Sequence, residues 1–247
     1  MSPSPPLTMN AWLRYDLVRR LLRELGPEVA SVVEIGAGEG GVGVRLARRY
    51  DYVGVEPDPL ACAQAAERLR REGRGRMVCG DVSALGPDAT FDLLCSFEVL
   101  EHVEDDAGAL VDWRRRLRRG GWLLLSVPAR PERFGAADRM VGHYRRYDAS
   151  RMTELLGRSG FVDPVVLTCG FPLGYALEAA RNAVARVASS HESQSMEEKT
   201  AASGRKLQPP EQLGWLTAAI TAPFRLVQRP FLASGLGTDL VALARCP

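Results

Sequence analysis

The sequence predicts an α/β fold in which a doubly wound, Rossmann-like sheet carries helices on both faces. Short runs rich in β-branched residues alternate with segments whose apolar residues recur at helical spacing, which is the pattern of βαβ units. Hydrophobic residues make up 46% of the 247 residues and charged residues 25%, which are ordinary values for a globular protein. The chain therefore suits one domain with additional elements, and a coiled coil, a collagen or a wholly disordered chain is excluded.

Each element follows from its local pattern. The predicted strands are short apolar or β-branched runs bounded by glycine, proline or polar residues, at 31–35, 52–56, 77–79, 91–97, 122–127, 164–169 and 238–243. The predicted helices have apolar residues at helical spacing, at 11–25, 41–49, 59–72, 107–117, 150–158, 172–188 and 213–228, with a short helix near Leu100. Asn10 is the predicted N-cap of the first helix, and Gly26-Pro27 ends that helix.

The pattern divides the chain into an N-terminal part, 1–29, and one domain, 30–247. Residues 1–9 are rich in serine and proline and are expected to form a disordered tail. Before the last strand, the insertion 172–235 departs from the strand–helix alternation. Its polar stretch 189–212 predicts a mobile loop.

The charge balance and the cysteines restrict the partners and the compartment. Lys and Arg total 32 and Asp and Glu total 30, which gives a net charge of +2. Such a balanced charge predicts no nucleic-acid partner. The arginine run 114–119 is interpreted as a solvated helix face. The five cysteines include no C-x-x-C pair. Their odd number and the lack of a signal peptide favour reduced thiols and a cytoplasmic location. No apolar run reaches 18 residues, so no spanning helix is predicted.

A glycine-rich segment, 34–40 with the sequence E-I-G-A-G-E-G, joins the first predicted strand to the following helix. Gly36, Gly38 and Gly40 allow a sharp turn and the close approach of a ligand to the peptide groups. The spacing is G-x-G-x-G and not the G-x-G-x-x-G of dinucleotide-binding loops. Together with the acidic Glu34, which would repel a phosphate, this spacing favours a cationic ligand without phosphates.

Two more acidic residues follow the next two strands. Glu56 ends the second strand twenty residues after Gly36, where an acid accepts hydrogen bonds from the ribose hydroxyls in doubly wound folds. Asp81 follows the third strand, where its carboxylate can accept a hydrogen bond from an adenine amino group. Because the carboxyl ends of parallel strands meet at one edge of a sheet, these loops predict a nucleoside site there.

The order of these motifs resembles that of class I S-adenosylmethionine-dependent methyltransferases. The matching segments, in chain order within residues 30–170, are E-I-G-A-G-E-G, V-G-V-E-P-D, C-G-D-V, F-D-L-L-C-S-F-E-V-L-E-H-V and L-R-R-G-G-W-L-L-L-S-V-P. The resemblance implies a seven-stranded mixed sheet, whose last two strands form a reversed hairpin. It also implies S-adenosylmethionine as the cofactor and S-adenosylhomocysteine as the product.

The resemblance also assigns roles at the cofactor site. The glycine loop would cradle the methionine part of the cofactor, with Glu34 near its amino group and Glu56 on the ribose. Asp81 and Val82 would lie at the adenine. The full predicted set is Glu34, Gly36, Gly38, Gly40, Glu56, Pro57, Asp81, Val82 and Phe97.

The segment F-E-V-L-E-H, 97–102, is similar to a stretch of the ubiquinone-type O-methyltransferases. Glu98, Glu101 and His102 are spaced to share one face of a helical turn, close to the expected position of the methyl group. With His143, after the fifth strand, they offer the ligands of a divalent metal that could acidify a substrate hydroxyl. A metal-free site is favoured, because loop-orienting hydrogen bonds explain Glu98 and His102 as well.

A hydroxyl nucleophile is helped by a base that titrates near neutral pH, and histidine is the usual choice. His143 is the predicted base or substrate contact, with His102 and Glu98 as further catalytic candidates. The alternative for His143 is a structural histidine bonded to the backbone. The residues that follow His143 are predicted to line the acceptor pocket, namely Tyr144, Arg145 and Tyr147. These residues could instead cap the next helix and pair with carboxylates.

The predicted function is methyl transfer from S-adenosylmethionine to an oxygen of a small molecule. The insertion is apolar and is expected to build the acceptor pocket, which favours a specialised metabolite or a lipid-like acceptor. The insertion could instead form a homodimer contact or a peripheral membrane contact. The alternatives are transfer to nitrogen or carbon, a nucleoside-binding protein without turnover, and a nicotinamide-dependent oxidoreductase. The glycine spacing and the lack of a Tyr-x-x-x-Lys pair disfavour the oxidoreductase.

Overall fold

The structure is a computed structural model that describes residues 5–188 and 214–247; the predicted mobile loop 189–212 lies outside the described residues. One sheet organises the chain, in the order β3-β2-β1-β4-β5-β7-β6. Its strands are β1 (Ser31–Ile35), β2 (Asp51–Glu56), β3 (Arg76–Cys79), β4 (Phe91–Phe97), β5 (Leu117–Pro128), β6 (Val162–Cys169) and β7 (Asp239–Arg245). Strands β1 to β5 are parallel, and β7 runs antiparallel to both β5 and β6. The predicted seven-stranded mixed sheet is therefore confirmed.

Helices cover both faces of this sheet. They are α1 (Met9–Glu24), α2 (Gly43–Ala47), α3 (Pro59–Glu72), α4 (Asp106–Arg114), α5 (Ala136–Val141), α6 (Ala149–Arg158), α7 (Leu173–Ala188) and α8 (Gly214–Val227). Short 3-10 helices span Val82–Ala84, Leu100–His102, Pro131–Arg133 and Arg229–Phe231. The sequence pattern did not predict α5, because its six residues are too few to show a helical period.

Successive strand residues face two separate apolar clusters, as the pleat of a sheet requires. Val33 of β1 belongs to the cluster that contains Trp113 of α4, and the preceding Val32 belongs to the cluster that contains Leu17 of α1. All four side chains are at most 3% exposed. Full burial of each such side chain stabilises the fold by roughly 1.5–3 kcal/mol.

The N-terminus differs from its prediction in two ways. Helix α1 begins at Met9, and its N-cap is Thr8, whose Oγ1 accepts a hydrogen bond from the Ala11 N–H at 3.2 Å; the prediction of Asn10 as the cap is wrong. Leu7 is only 4% exposed, so the expected disordered tail is also wrong for residues 5–8. The Thr217 hydroxyl of α8 donates to the Leu7 carbonyl at 2.9 Å, so this segment is held by contacts with distant residues that no local pattern reveals.

The fifth strand starts at Leu117, five residues before the prediction. Leu117 pairs with Phe91, and an irregularity in register follows before Trp122 pairs with Leu93. Gly120 has a φ of 78°, which places the predicted glycine turn inside the strand as a local irregularity. Helix α4 correspondingly ends at Arg114 instead of 117.

The prediction of reduced thiols is wrong for two of the five cysteines. Cys62 of α3 and Cys79 at the end of β3 form a disulfide, with their Cα atoms 5.7 Å apart. The two cysteines are 17 positions apart in the sequence, and the packing of α3 on β3 brings them together. Cys95, Cys169 and Cys246 are free and buried.

The two helices of the insertion pack against different helices of the domain. Helix α7 lies against α5, and α8 lies against α1, where Gln228 donates from its amide to the Leu13 carbonyl at 3.0 Å. Trp215 and Ile220 of α8 are 70% and 46% exposed. None of the described helices is both long and apolar enough for a membrane crossing. The dimer and membrane contacts of the insertion stay predictions.

Candidate active site

The glycine loop turns sharply between β1 and α2. Gly36, Gly38 and Gly40 have φ values of 73°, 53° and 77°, which non-glycine residues seldom adopt. The Gly36 N–H donates to the Val55 carbonyl at 2.9 Å, which fixes the loop to β2. A side chain at Gly36 would overlap Val99, whereas one at Gly38 would meet no atom within 4 Å. The loop therefore presents bare backbone to open space at Gly38, as a closely approaching ligand requires.

Glu56 connects this loop to the next one. Its Oε2 accepts a hydrogen bond from the Gly38 N–H at 2.8 Å, and its Oε1 accepts one from the Asp58 N–H at 2.9 Å. Burial raises the pKa of Glu56, although these two backbone hydrogen bonds oppose the shift. Pro57 begins the turn that leads to Asp58, the N-cap of α3. Glu56 is thus held beside the bare backbone of the glycine loop.

Glu34 lies in β1 beneath the loop and is 3% exposed. The Tyr52 hydroxyl donates to its Oε2 at 2.6 Å. Burial raises the pKa of Glu34 to about 8, the hydrogen bond from Tyr52 opposes this shift, and the charge of Glu56 adds to it. A cation bound nearby would offset the cost of ionising this carboxyl group.

The predicted adenine residues follow β3. The Gly80 N–H donates to the Glu56 carbonyl at 2.9 Å, so this turn is fixed to the end of β2. The Asp81 carboxylate accepts from the Ser83 N–H at 2.8 Å, and hydrogen bonds with Ser83 lower the pKa of Asp81. Val82 begins the following 3-10 helix, and Phe97 ends β4. All nine predicted cofactor residues thus lie at or directly after the carboxyl ends of neighbouring parallel strands; their contacts with a cofactor stay predictions.

Glu98 follows β4 with a φ of 58°, an uncommon conformation for a non-glycine residue that recurs at functional sites. The Ser126 hydroxyl donates to its Oε1 at 3.1 Å, and Arg14 of α1 lies 3.2 Å from its Oε2. Arg14 also lies 3.2 Å from the Asp239 carboxylate at the start of β7. The N-terminal helix therefore supplies a cation at the site, which sequence reasoning missed because nothing local to α1 indicates where Arg14 points.

Three of the four predicted metal-ligating residues come together. One ligand atom from each of Glu101, His102 and His143 lies within 4.8 Å of the others. Glu98 is not part of this group, because the 3-10 helix begins only at Leu100 and the Glu98 carboxylate faces Arg14. The predicted alignment of Glu98 with Glu101 and His102 on one helical turn is therefore wrong.

Burial controls the charge of this group. Glu101 is fully buried, and neither of its carboxylate oxygens has a hydrogen-bond partner among the described residues. Burial, with the charge of Glu98, raises the pKa of Glu101 well above its usual range. Burial, with His143, lowers the pKa of His102 to about 4. His102 is therefore neutral near pH 7, and its surroundings favour the neutral form of Glu101.

His143 has a carboxylate partner that the sequence did not reveal. Its Nδ1 lies 2.9 Å from an oxygen of Asp138 in α5, and its Nε2 lies 3.7 Å from Glu101. Arg146 donates two hydrogen bonds to Asp138, at 2.8 and 2.7 Å, and lies 3.2 Å from Glu178 of α7. Although burial opposes it, the bonds from His143 and Arg146 lower the pKa of Asp138. When His143 is neutral, an ionised Asp138 accepts a hydrogen bond from its Nδ1–H, and the Nε2 atom then carries the free lone pair.

A cavity of about 220 Å³ lies between α5, α7 and the ends of three strands. His143, Asp138 and Glu98 line it, so the cavity adjoins both the histidine–aspartate pair and the end of β4. The other lining residues are Pro128, Ala137, Met140, Val141, Arg146, Ala180, Arg181, Val184, Thr238 and Asp239.

The three predicted acceptor residues lie elsewhere. Tyr147 is fully buried, and its hydroxyl donates to Asp106 at 3.0 Å. Arg145 lies 2.8 Å from the same carboxylate, and Tyr144 is 40% exposed. None of the three lines the cavity described above, and their contact with an acceptor stays a prediction.

Comparison with known proteins agrees with this fold and these motifs. Residues 33–125 match the family model described as a methyltransferase domain. A probable S-adenosylmethionine-dependent methyltransferase of Mycobacterium tuberculosis is 31% identical over 167 residues, or 65% of this chain and 58% of that protein. One of Mycolicibacterium smegmatis is 34% identical over 137 residues, or 53% and 51%. The chain thus spans only 51–58% of the length of these two relatives.

Solved structures share the fold. A putative methyltransferase from Bacillus halodurans has a TM-score of 0.59 at 16% identity, over 94% of this chain and 99% of that one. Phosphoethanolamine N-methyltransferase 2 of Haemonchus contortus, in complex with S-adenosyl-L-methionine, has a TM-score of 0.58 at 19% identity, over 95% and 52%. The chain therefore carries a methyltransferase domain over residues 33–125, and it is similar in sequence to probable S-adenosylmethionine-dependent methyltransferases. The finer likeness of residues 97–102 to the ubiquinone-type enzymes stays a prediction.

Proposed function

We propose that the protein transfers a methyl group from S-adenosylmethionine to an oxygen atom of a small molecule. The observation that carries this proposal is the cavity that adjoins both the end of β4 and the pair formed by His143 and Asp138. When bound, the cofactor supplies a methyl group on a positively charged sulfur, and displacement of that methyl leaves S-adenosylhomocysteine.

The residues at the strand ends fit this cofactor. The bare backbone at Gly38 permits close approach, and Glu56 lies beside it as an acceptor for the ribose hydroxyls. Glu34 is a buried carboxyl group that a nearby ammonium would help to ionise. Asp81 and Val82 continue the same edge toward the position expected for the adenine.

His143 is the proposed base. Asp138 accepts a hydrogen bond from the Nδ1–H of His143. The Nε2 atom then takes the proton from the hydroxyl of the methyl acceptor, while the hydroxyl oxygen attacks the methyl carbon. Asp138 is the positioning residue; Arg146 holds it in place and is itself paired with Glu178. A base of this kind favours transfer to oxygen, because a hydroxyl must lose a proton whereas a neutral amine already carries an available lone pair.

A metal-assisted reaction is the second candidate, and the group of Glu101, His102 and His143 is the observation that favours it. The unpartnered carboxylate of Glu101 suits a divalent ion. An ion there would acidify a substrate hydroxyl. His143 would then be a ligand and not the base, so the two proposals assign its Nε2 atom differently.

The cavity volume bears on the acceptor. About 220 Å³ accommodates a compact molecule and is below the usual range for drug-sized ligands, roughly 300–1,000 Å³. A compact metabolite is therefore favoured over a long lipid chain. A cytoplasmic location stays part of the proposal.

The test measures S-adenosylhomocysteine formation with a panel of compact phenols and alcohols. We expect Asp138→Asn and His143→Ala each to lower kcat by roughly 10²–10⁴-fold without weakening S-adenosylhomocysteine binding. Asp112→Asn, an exposed change on α4, is the matched control. Turnover with hydroxyl acceptors that is unaffected by both variants would contradict the assignment of the base, and turnover confined to amines would contradict the transfer to oxygen.

A further inference from the structure

Two polar residues that line the cavity are not used by the proposed proton transfer. Arg181 of α7 and Thr238, just before β7, both line it. The Nε atom of Arg181 and the Oγ1 atom of Thr238 are both buried, and neither has a hydrogen-bond partner within the described residues. Thr238 as a whole is 2% exposed. Buried polar atoms in native proteins are nearly always paired, so these two atoms indicate a ligand that pairs them.

The other charged groups of the cavity already have partners. Glu98 and Asp239 share Arg14, and Asp138 is held by Arg146. Arg181, by contrast, makes no ion pair with any described residue. Its positive charge favours the ionised form of Asp239, but burial and the charge of Glu98 dominate and raise the pKa of Asp239 to about 6.

The chemistry of the two unpaired atoms defines the group that would pair them. A guanidinium only donates hydrogen bonds, and its planar fork matches the two oxygens of a carboxylate. The Thr238 hydroxyl can donate to the same group. A carboxylate carries the single charge that one arginine balances, whereas a phosphate dianion would leave excess negative charge near Glu98 and Asp239.

We propose that the acceptor is a compact hydroxycarboxylic acid, whose carboxylate binds Arg181 and Thr238 while its hydroxyl faces His143. This inference rests on the proposed function, because it takes the cavity as the acceptor site. Met140, Val141 and Val184 also line the cavity, and these apolar side chains suit a hydrocarbon body. At about 30 Å³ per water molecule, the cavity has the volume of roughly seven waters, which fits a body about the size of one ring.

The experiment titrates benzoate and its neutral isostere benzamide into the full chain saturated with S-adenosylhomocysteine, with ligand-observed NMR as the readout. Saturation with the product occupies the cofactor site first, so that the cofactor's own carboxylate cannot be the group that Arg181 binds. We expect benzoate to bind roughly 10- to 100-fold more weakly to Arg181→Gln than to the wild type, and benzamide to bind the wild type more weakly than benzoate. Arg158→Gln, on the exposed face of α6, removes the same charge away from the cavity and should change nothing.

Several results would overturn the proposal. They are equal binding of benzoate to the wild type and Arg181→Gln, equal binding of benzoate and benzamide, no binding of benzoate, or tighter binding of phenyl phosphate than of benzoate. Arg181→Lys keeps the charge and should recover part of the affinity, which guards against a variant that merely misfolds. The proposed function fails separately, if S-adenosylhomocysteine itself does not bind the wild type in calorimetry.

Discussion

Replacement of Glu34 by glutamine should remove a pH dependence that one buried carboxyl group imposes on stability. Glu34 is 3% exposed, and burial raises its pKa from 4.5 to about 8 in the folded protein without cofactor. Between these two values the folded state holds a proton that the unfolded state has released. The free energy of unfolding therefore falls as the pH rises from about 4.5 to about 8.

The magnitude follows from the two pKa values. At about 1.4 kcal/mol for each pH unit, the difference corresponds to roughly 3–5 kcal/mol of stability that is present at pH 4.5 and lost above pH 8. Glutamine keeps an oxygen that can accept the Tyr52 hydroxyl proton but has no charge to bury. Relative to the wild type, Glu34→Gln should therefore gain roughly 3–5 kcal/mol between pH 5 and pH 9.

Urea unfolding at intervals from pH 5 to pH 9, without cofactor, measures this difference. The comparison between pH values cancels any constant effect of placing an amide in the core. Glu24→Gln, an exposed change at the end of α1, controls for the loss of a carboxyl group. Parallel stability curves for the wild type and Glu34→Gln would refute the reasoning.

Three further changes test other parts of the structure. Gly38→Val should abolish S-adenosylhomocysteine binding in calorimetry while the protein stays folded, because the valine side chain would enter the open space above the loop. Tight binding by this variant would contradict the role of the loop. Excess EDTA should leave activity unchanged if His143 acts as a base. The metal-assisted reaction would be supported if EDTA removes activity, Mg²⁺ or Mn²⁺ restores it, and Glu101→Gln causes the same loss. Replacement of Cys62 and Cys79 by serine should lower the free energy of unfolding, measured in urea, by about 3 kcal/mol, because the disulfide closes a loop over a sequence separation of 17. An unchanged free energy of unfolding would contradict a stabilising role of the disulfide.

The sequence alone was sufficient for most of the fold because strand and helix periods are local properties. The parallel strands and the motif order around Gly36 and Glu56 could be read directly, since each motif follows its own strand. The extra residues of β5 could not, because Leu117 joins the sheet only through its pairing with Phe91.

The sequence indicated the site where its residues belong to motifs that follow a strand, and it missed the partners that come from elements without such a motif. Asp138, the carboxylate partner of His143, lies in α5, a helix too short to show a period. Arg14, 84 residues before Glu98, reaches it only after α1 packs across the strand ends. The pairing of Cys62 with Cys79 likewise depends on how α3 packs against β3.

The central claim is that the carboxyl ends of β1 to β4 bind S-adenosylmethionine. Calorimetric titration of S-adenosylhomocysteine into the wild type and into Glu56→Ala tests it most directly, with Glu67→Ala on the outer part of α3 as the control. One binding site is expected in the wild type, and Glu56→Ala should weaken it by roughly 1.5–3 kcal/mol, because the ribose loses a charged acceptor and the Gly38 N–H loses its partner. Absence of binding to the wild type, or equal affinity in the wild type and Glu56→Ala, would contradict the account.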